Sequence, residues 1–166
     1  MLISGPIAEQ AVLELQSGCR SVDDGIIEGL AAEATEGGRS AEAIARFIGA
    51  RVQIADLPRG VFGLRAPGLI LVAPFKSAMA RDIAVTHECA HGVLRRSRHA
   101  HQHADVWALF VALMVPLRCL AKLPVLSPVA VAAELGVPCW VAWVRLQMPV
   151  VQVSMGGRTS FSLRMC

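Results

Sequence analysis

The sequence predicts an α+β fold that is mostly helical, with a small antiparallel three-stranded sheet ahead of a long helix. Hydrophobic residues make up 54% and charged residues 17% of the 166 residues, which excludes a disordered chain and suffices for a buried core. Helical periodicity dominates residues 1–50, and a period of two replaces it over residues 51–73. The change of period locates the sheet between two sets of helices.

The N-terminal part is predicted to form three helices. Pro6 opens the first and Gly18 closes it. Ser21 is a candidate N-cap for a second helix, and Ser40 for a third, which ends at Gly49.

The sheet is predicted from three short stretches, residues 51–55, 61–65 and 69–73, of which the last two are joined by a Pro-Gly turn. We expect the third stretch to be either an edge strand or an inner strand of this sheet.

Helices follow the sheet. Ser77 begins a helix that runs to about Arg96, and a second, apolar helix runs from about His101 to Val115. Two short helices around Gly136 resemble a helix-turn-helix unit. We therefore expect one domain over residues 1–125 and a small helical extension and tail over residues 126–166.

The most informative motif for function is the string His87-Glu88-Cys89-Ala90-His91. On a helix, residues i and i+4 leave the same face, so that His87 and His91 can bind one metal ion. Glu88 lies beside them as a general base, whereas Cys89 points away and is not expected to be a ligand. The alternative is a pair of core histidines with an accidental glutamate between them.

A catalytic zinc ion needs a third protein ligand. A polar link after the motif helix supplies His99, His101 and His103, followed by Asp105. Histidines at alternate positions cannot all face one way on a helix, so we expect at least one of them to be a metal ligand. The alternative for any single one of them is a position in a solvated loop.

At this point the sequence resembles the ImmA/IrrE family of zinc metallopeptidases, which have a zincin-like domain. The resemblance covers residues 40–146 and lies in the order of several segments. These are Leu57-Pro58-Arg59-Gly60-Val61-Phe62-Gly63, Gly68-Leu69-Ile70-Leu71-Val72, Arg81, the His87–His91 motif, Ala104-Asp105-Val106-Trp107-Ala108 and Leu113-Met114-Val115-Pro116.

Members of that family place a glutamate ligand on the helix after the motif, and this sequence lacks it. Alignment on the segment around Asp105 puts His101 at the ligand position, and counting back from Pro116 puts His103 there. We prefer His101, because Asp105 would then lie one turn further on and could orient a ligand histidine. The alternative for Asp105 is a carboxylate favoured by the helix dipole.

The resemblance implies a metallo-endopeptidase with one zinc ion (Zn²⁺) per chain, in which Glu88 takes a proton from the attacking water. It also implies that the strand Leu69–Val72 holds the substrate by strand addition, the alternative being a plain edge or inner strand. The implied substrate is a DNA-binding repressor that is cut to derepress mobile-element or stress-response genes. The alternative function is a catalytically weak metal-binding protein that regulates a partner, or DNA, by binding only.

Location and partners follow from bulk features. Five widely spaced cysteines indicate reduced thiols, and Glu9 and Glu14 interrupt any signal-peptide pattern, so we expect a cytoplasmic protein. The longest apolar stretch, residues 104–117, is too short to span a membrane. Direct DNA binding is not expected, because the second helix of the helix-turn-helix pattern carries few polar side chains apart from Arg145.

Overall fold

The computed structural model describes residues 6–17, 20–149 and 151. The fold is α+β and mostly helical, as predicted. The N-terminal helices are α1 (Pro6–Gln16), α2 (Asp24–Ala34) and α3 (Ala41–Phe47). Ser40 caps α3 as predicted, whereas the cap of α2 is Asp23, whose side chain accepts a hydrogen bond from the Gly25 N–H.

The sheet contains β1 (Arg51–Ile54), β2 (Gly63–Ala66) and β3 (Leu69–Val72) in the order β1-β3-β2. Strand β2 pairs antiparallel with β3, but β1 pairs parallel with β3. The prediction of an antiparallel sheet is therefore wrong for the β1–β3 pair. Consecutive strands still run in opposite directions, but β3 inserts between β1 and β2 instead of extending the hairpin outward.

The strand order also decides which strand lies at the edge. Strand β3 is the inner strand, so it is not the edge strand that could receive a peptide. Among the described residues, β1 and β2 are the two edge strands of the sheet. Both β2 and β3 contact the next helix.

Two helices form the centre of the molecule, α4 (Ala78–Ser97) and α5 (His103–Met114). Ser77 caps α4 as predicted, and the helix ends at Arg98, which adopts a left-handed conformation with φ 59°. All residues of α5 after His103 are buried. Helix α5 is thus the core element against which α1, α2, α4 and α8 pack.

Residues His103–Leu120 are apolar enough in composition for a membrane span, but 72% of that window is buried inside the protein. Helix α5 also ends at Met114, and Pro116 separates it from α6 (Leu117–Leu120). The stretch is therefore packed largely inside the protein as a core helix.

The C-terminal part adds α7 (Pro128–Leu135) and α8 (Cys139–Gln147), and Gly136 between them has φ 62°. Glycine suits this left-handed position because it has no Cβ. Helix α8 packs on α5, and its Arg145 is fully buried. The predicted tail lies outside the described residues, apart from Val151.

The described cysteines differ in their state. Cys89 and Cys119 are free thiols, whereas Cys139 is disulfide-bonded. The expectation of reduced thiols throughout is therefore wrong for Cys139.

Candidate metal centre

Three histidine rings meet where α4 packs against α5. His87 and His91 leave the same face of α4, one turn apart, and their ring centroids are 5.0 Å apart. His103, the first residue of α5, brings its ring centroid to 5.4 Å from that of His87 and 5.5 Å from that of His91. Two helices therefore supply one cluster.

The donor atoms of this cluster could bind a metal ion. One ring nitrogen of each histidine lies within 4.8 Å of the other two. The Nε2 atom of His87 is buried and has no hydrogen-bond partner. Buried polar atoms almost always have a partner, so an orphaned imidazole nitrogen inside a cluster of imidazoles is what a ligand site requires.

Aromatic side chains shelter the cluster on the side of α5. The Trp107 ring centroid lies 4.5 Å from that of His87, and the Phe110 centroid lies 6.2 Å from it. Trp107 follows His103 by one turn, so both face α4. These apolar rings cover the histidine cluster on its core side. On the opposite side the cluster is open to solvent at His103, whose side chain is 41% exposed.

The structure brings His103 to the motif histidines and does not bring His101, which corrects the preference for His101. The cause is the start of α5, which begins at His103 and not at the predicted residue 101. His101 precedes the helix, and its Nδ1 faces the carbonyl oxygen of His99 at 3.0 Å. The alignment that counted back from Pro116 is the one that selected His103, the histidine that lies beside the motif pair.

Asp105 does not orient a histidine, so that prediction is wrong. Its fully buried carboxylate accepts hydrogen bonds from the N–H groups of Ser21, Val22 and Gln102 and from the Ser21 hydroxyl. Burial opposes ionisation, but these hydrogen bonds outweigh it and lower the pKa of Asp105. With four donors around it, the carboxylate holds the segment before α2 against the start of α5.

Glu88 lies beside the cluster, as the motif predicts. Its Oε1 is 3.8 Å from the His87 Nδ1. Burial would raise the pKa of Glu88, but the interactions with His87, followed by those with His91 and Arg65, outweigh burial and lower that pKa. A carboxylate in its ionised state is the form that accepts a proton.

A glycine of the sheet makes room for Glu88. A Cβ atom at Gly63 in β2 would lie 2.9 Å from the Glu88 Cγ and 3.1 Å from its Oε1. Arg65, two residues further along β2, lies close to Gly92 of α4. A Cβ atom added at Gly92 would lie 3.5 Å from the Arg65 Nη1. Strand β2 therefore lies directly along the face of α4 that carries Glu88.

Two further groups of the motif helix have shifted pKa values. Burial, followed by the neighbouring His87, lowers the pKa of His91 to about 4, so that its imidazole is neutral at pH 7. Burial raises the pKa of the Cys89 thiol to about 12. A neutral imidazole can bind a metal, whereas a buried protonated thiol is inert, in agreement with the predicted role of Cys89 as a non-ligand.

One residue at the site was not predicted from the sequence. Glu14 of α1 places its Oε2 2.7 Å from the Nδ1 of His103. The two residues are 89 positions apart, and no local pattern links them. The apolar face of α1 indicates that the helix packs on a core, but it does not indicate where.

The fold and the site define a class of protein: a helical α+β domain with three histidines that could bind a metal ion and a carboxylate beside them. No protein-family model matches this chain, and neither does any curated protein.

Proposed function

We propose that this protein is a zinc-dependent metallo-endopeptidase. The observation that carries the proposal is the convergence of His87, His91 and His103 on one point, with Glu88 next to them. A metal site that only stabilises a fold needs no general base between its ligands, and such sites usually close all positions with protein ligands. Three protein ligands leave a position for water.

Zinc is a metal that a set of three imidazole ligands suits well. When bound, it would lower the pKa of a coordinated water to about 7 and polarise the scissile carbonyl. His87 and His91 would hold it from α4, and His103 would hold it from α5. Trp107 and Phe110 exclude bulk water from the side of the core.

Glu88 performs the proton transfers. Its carboxylate accepts the proton of the attacking water and donates it to the leaving amine. The space at Gly63 lets this carboxylate lie against the sheet. The chain contains no tyrosine, so no tyrosine hydroxyl supports the oxyanion.

Strand β2 is suited to hold the peptide. It is an edge strand among the described residues and passes beside Glu88 at Gly63. An extended peptide can add to such an edge through main-chain hydrogen bonds. Leu64 and Phe62 are large apolar side chains exposed near this edge, and they would contact apolar side chains of the substrate.

The resemblance to the ImmA/IrrE family supports a cytoplasmic DNA-binding repressor as the substrate. A peptidase that recognises one protein partner through surfaces outside the reacting centre should cleave few peptide sequences. Direct DNA contact by this chain is not part of the proposal, since Arg145 of the helix-turn-helix pattern is buried.

Metal content of purified variants tests the ligand set. Mass spectrometry of zinc-loaded protein should find one zinc ion per chain in the wild type. The substitutions His87→Ala, His91→Ala and His103→Ala should each remove it, while the matched control His101→Ala should retain it. Zinc lost in His101→Ala and retained in His103→Ala would contradict the ligand assignment.

The activity is tested with a proteome-derived peptide library analysed by mass spectrometry. Zinc-loaded wild type should cut a restricted set of peptides, and Glu88→Gln should lower that cleavage by at least about 10³-fold with zinc still bound. Glu36→Gln, at an exposed position, is the control and should cleave normally.

The second candidate is a metal-binding regulator without activity. The observation that favours it is His103 in place of the glutamate ligand of the resembling family. In that case zinc-loaded wild type and Glu88→Gln would give identical products from the library and would bind a partner equally well. That result would reject the peptidase.

A further inference from the structure

We propose that Glu14 of α1 is the positioning residue for His103 and that it couples docking of α1 to binding of the metal. The inference rests on the proposed metal centre, though not on peptidase activity. It gives the N-terminal helix a role in the site that neither the motif nor the resemblance assigns to it.

The geometry at His103 carries the argument. Its Nδ1 lies 2.7 Å from the Glu14 Oε2, a hydrogen-bond distance. When Nδ1–H donates to that carboxylate, the lone pair is on Nε2, which is then the metal-binding atom. A ligand histidine commonly donates its other ring N–H to a carboxylate, which fixes the ring orientation and raises its basicity.

Glu14 is itself held in place. Its Oε1 accepts a hydrogen bond of 2.9 Å from the Gln10 side chain, one turn earlier on α1. On the same helix, Ala11 is fully buried and Leu15 packs on the core. Both carboxylate oxygens are thus occupied by protein groups, and α1 is anchored beside the site by its apolar residues.

His103 needs such support more than the other two ligands. It is the most exposed of the three, and it begins α5, whereas His87 and His91 lie inside a long helix. A side chain that is exposed at a helix start loses more rotamer freedom on binding a metal. The contact with Glu14 restricts the orientation of the His103 ring in the metal-free protein.

Coupling is reciprocal. If a docked α1 increases the affinity for zinc by a given factor, bound zinc stabilises the docked α1 by the same factor. Zinc should therefore slow hydrogen exchange in residues 6–16. An undocked α1 would leave a weaker site formed by two well-held ligands and one mobile ligand.

The experiment measures zinc affinity by competition with a chromophoric chelator in the full chain. Glu14→Gln should weaken zinc binding about 10- to 100-fold, since an amide is a weaker acceptor for the imidazole N–H. The matched control is Glu9→Gln, an exposed carboxylate on the same helix, which should bind zinc as the wild type does.

Hydrogen exchange separates positioning from simple folding. Zinc should slow exchange of α1 in the wild type and in Glu9→Gln, and this gain should be lost in Glu14→Gln and in His103→Ala. Equal zinc affinity in Glu14→Gln and wild type would overturn the inference and leave the metal centre intact. Failure of the wild type to bind zinc would overturn the metal centre and the inference together.

Discussion

Helix α5 carries two polar residues within its first turn, His103 and Asp105, and they are satisfied in opposite ways. Asp105 is fully buried, and four hydrogen bonds saturate its carboxylate. His103 is partly exposed and belongs to a cluster in which the Nε2 of His87 has no partner. Saturated buried groups hold a fold together, whereas a buried nitrogen without a partner, inside a cluster that could bind a metal ion, fits a ligand site.

A second saturated group makes the contrast stronger. Arg145 of α8 donates from Nη1 and Nη2 to the two carboxylate oxygens of Glu28, at 2.5 and 2.6 Å, and from Nε to the Val115 carbonyl oxygen at 2.8 Å. It links α2, α8 and the end of α5. If the contrast holds, substitutions at Arg145 and Asp105 destabilise the metal-free fold, and substitutions at the histidines do not.

The largest effect is expected from Arg145→Met. Removing one partner of a buried ion pair leaves Glu28 and the Val115 carbonyl unpaired, so the free energy of unfolding should fall by about 3–5 kcal/mol. Urea denaturation in the presence of a chelator measures this change. The double variant Arg145→Met/Glu28→Leu should recover much of the loss, and failure to recover it would show that packing and not charge dominates.

The next effect is expected from Asp105→Asn. An amide NH₂ group would face N–H donors that now reach a carboxylate, and the loss should be about 1–3 kcal/mol. Zinc affinity should stay at the wild-type value, because Asp105 contacts no histidine of the cluster. The exposed control Asp56→Asn should change stability by less than about 0.5 kcal/mol. A tenfold loss of zinc affinity in Asp105→Asn would restore the role first predicted for it.

Local patterns in the sequence predicted the parts of the site that lie on one helix. The i, i+4 spacing of His87 and His91 and the cap at Ser77 are short-range features, and the structure has both. The parallel pairing of β1 with β3 and the contacts made by Glu14 and Asp105 join residues far apart in the chain. No local pattern encodes such pairings, because packing of whole elements decides them.

The ligand alternatives illustrate the same limit. His101 and His103 are the same residue type, two positions apart. Which of them lies beside His87 and His91 depends on whether α5 begins at residue 101 or at residue 103. Helix ends are set by capping contacts, and here the Gln102 N–H donates to Asp105, which is itself held by Ser21 from another part of the chain.

A smaller effect on stability is expected from Gly63→Ala. The added Cβ would lie 2.9 Å from the Glu88 Cγ, so the Glu88 side chain must move, at a cost below about 1 kcal/mol. Zinc affinity should not change, but cleavage of library peptides should fall about 10²-fold, because the base is displaced. Gly37→Ala, which has open space around it, should cleave normally.

The smallest effect is expected from His103→Ala in the metal-free protein. The side chain is 41% exposed and ends in a surface pair with Glu14, so its loss should cost less than about 1 kcal/mol. With zinc the same substitution should remove nearly all ligand stabilisation, which is about 2.7 kcal/mol when free zinc is 100 times the dissociation constant. His101→Ala should be near neutral in both conditions.

This last pair of measurements separates a ligand from a core histidine. A histidine that serves packing stabilises the fold whether or not metal is present, so its substitution would cost the same free energy in chelator and in zinc. A ligand contributes only through the metal. Equal losses in the two conditions would place His103 with Asp105 and Arg145 among the groups that hold the fold, and the contrast along α5 would disappear.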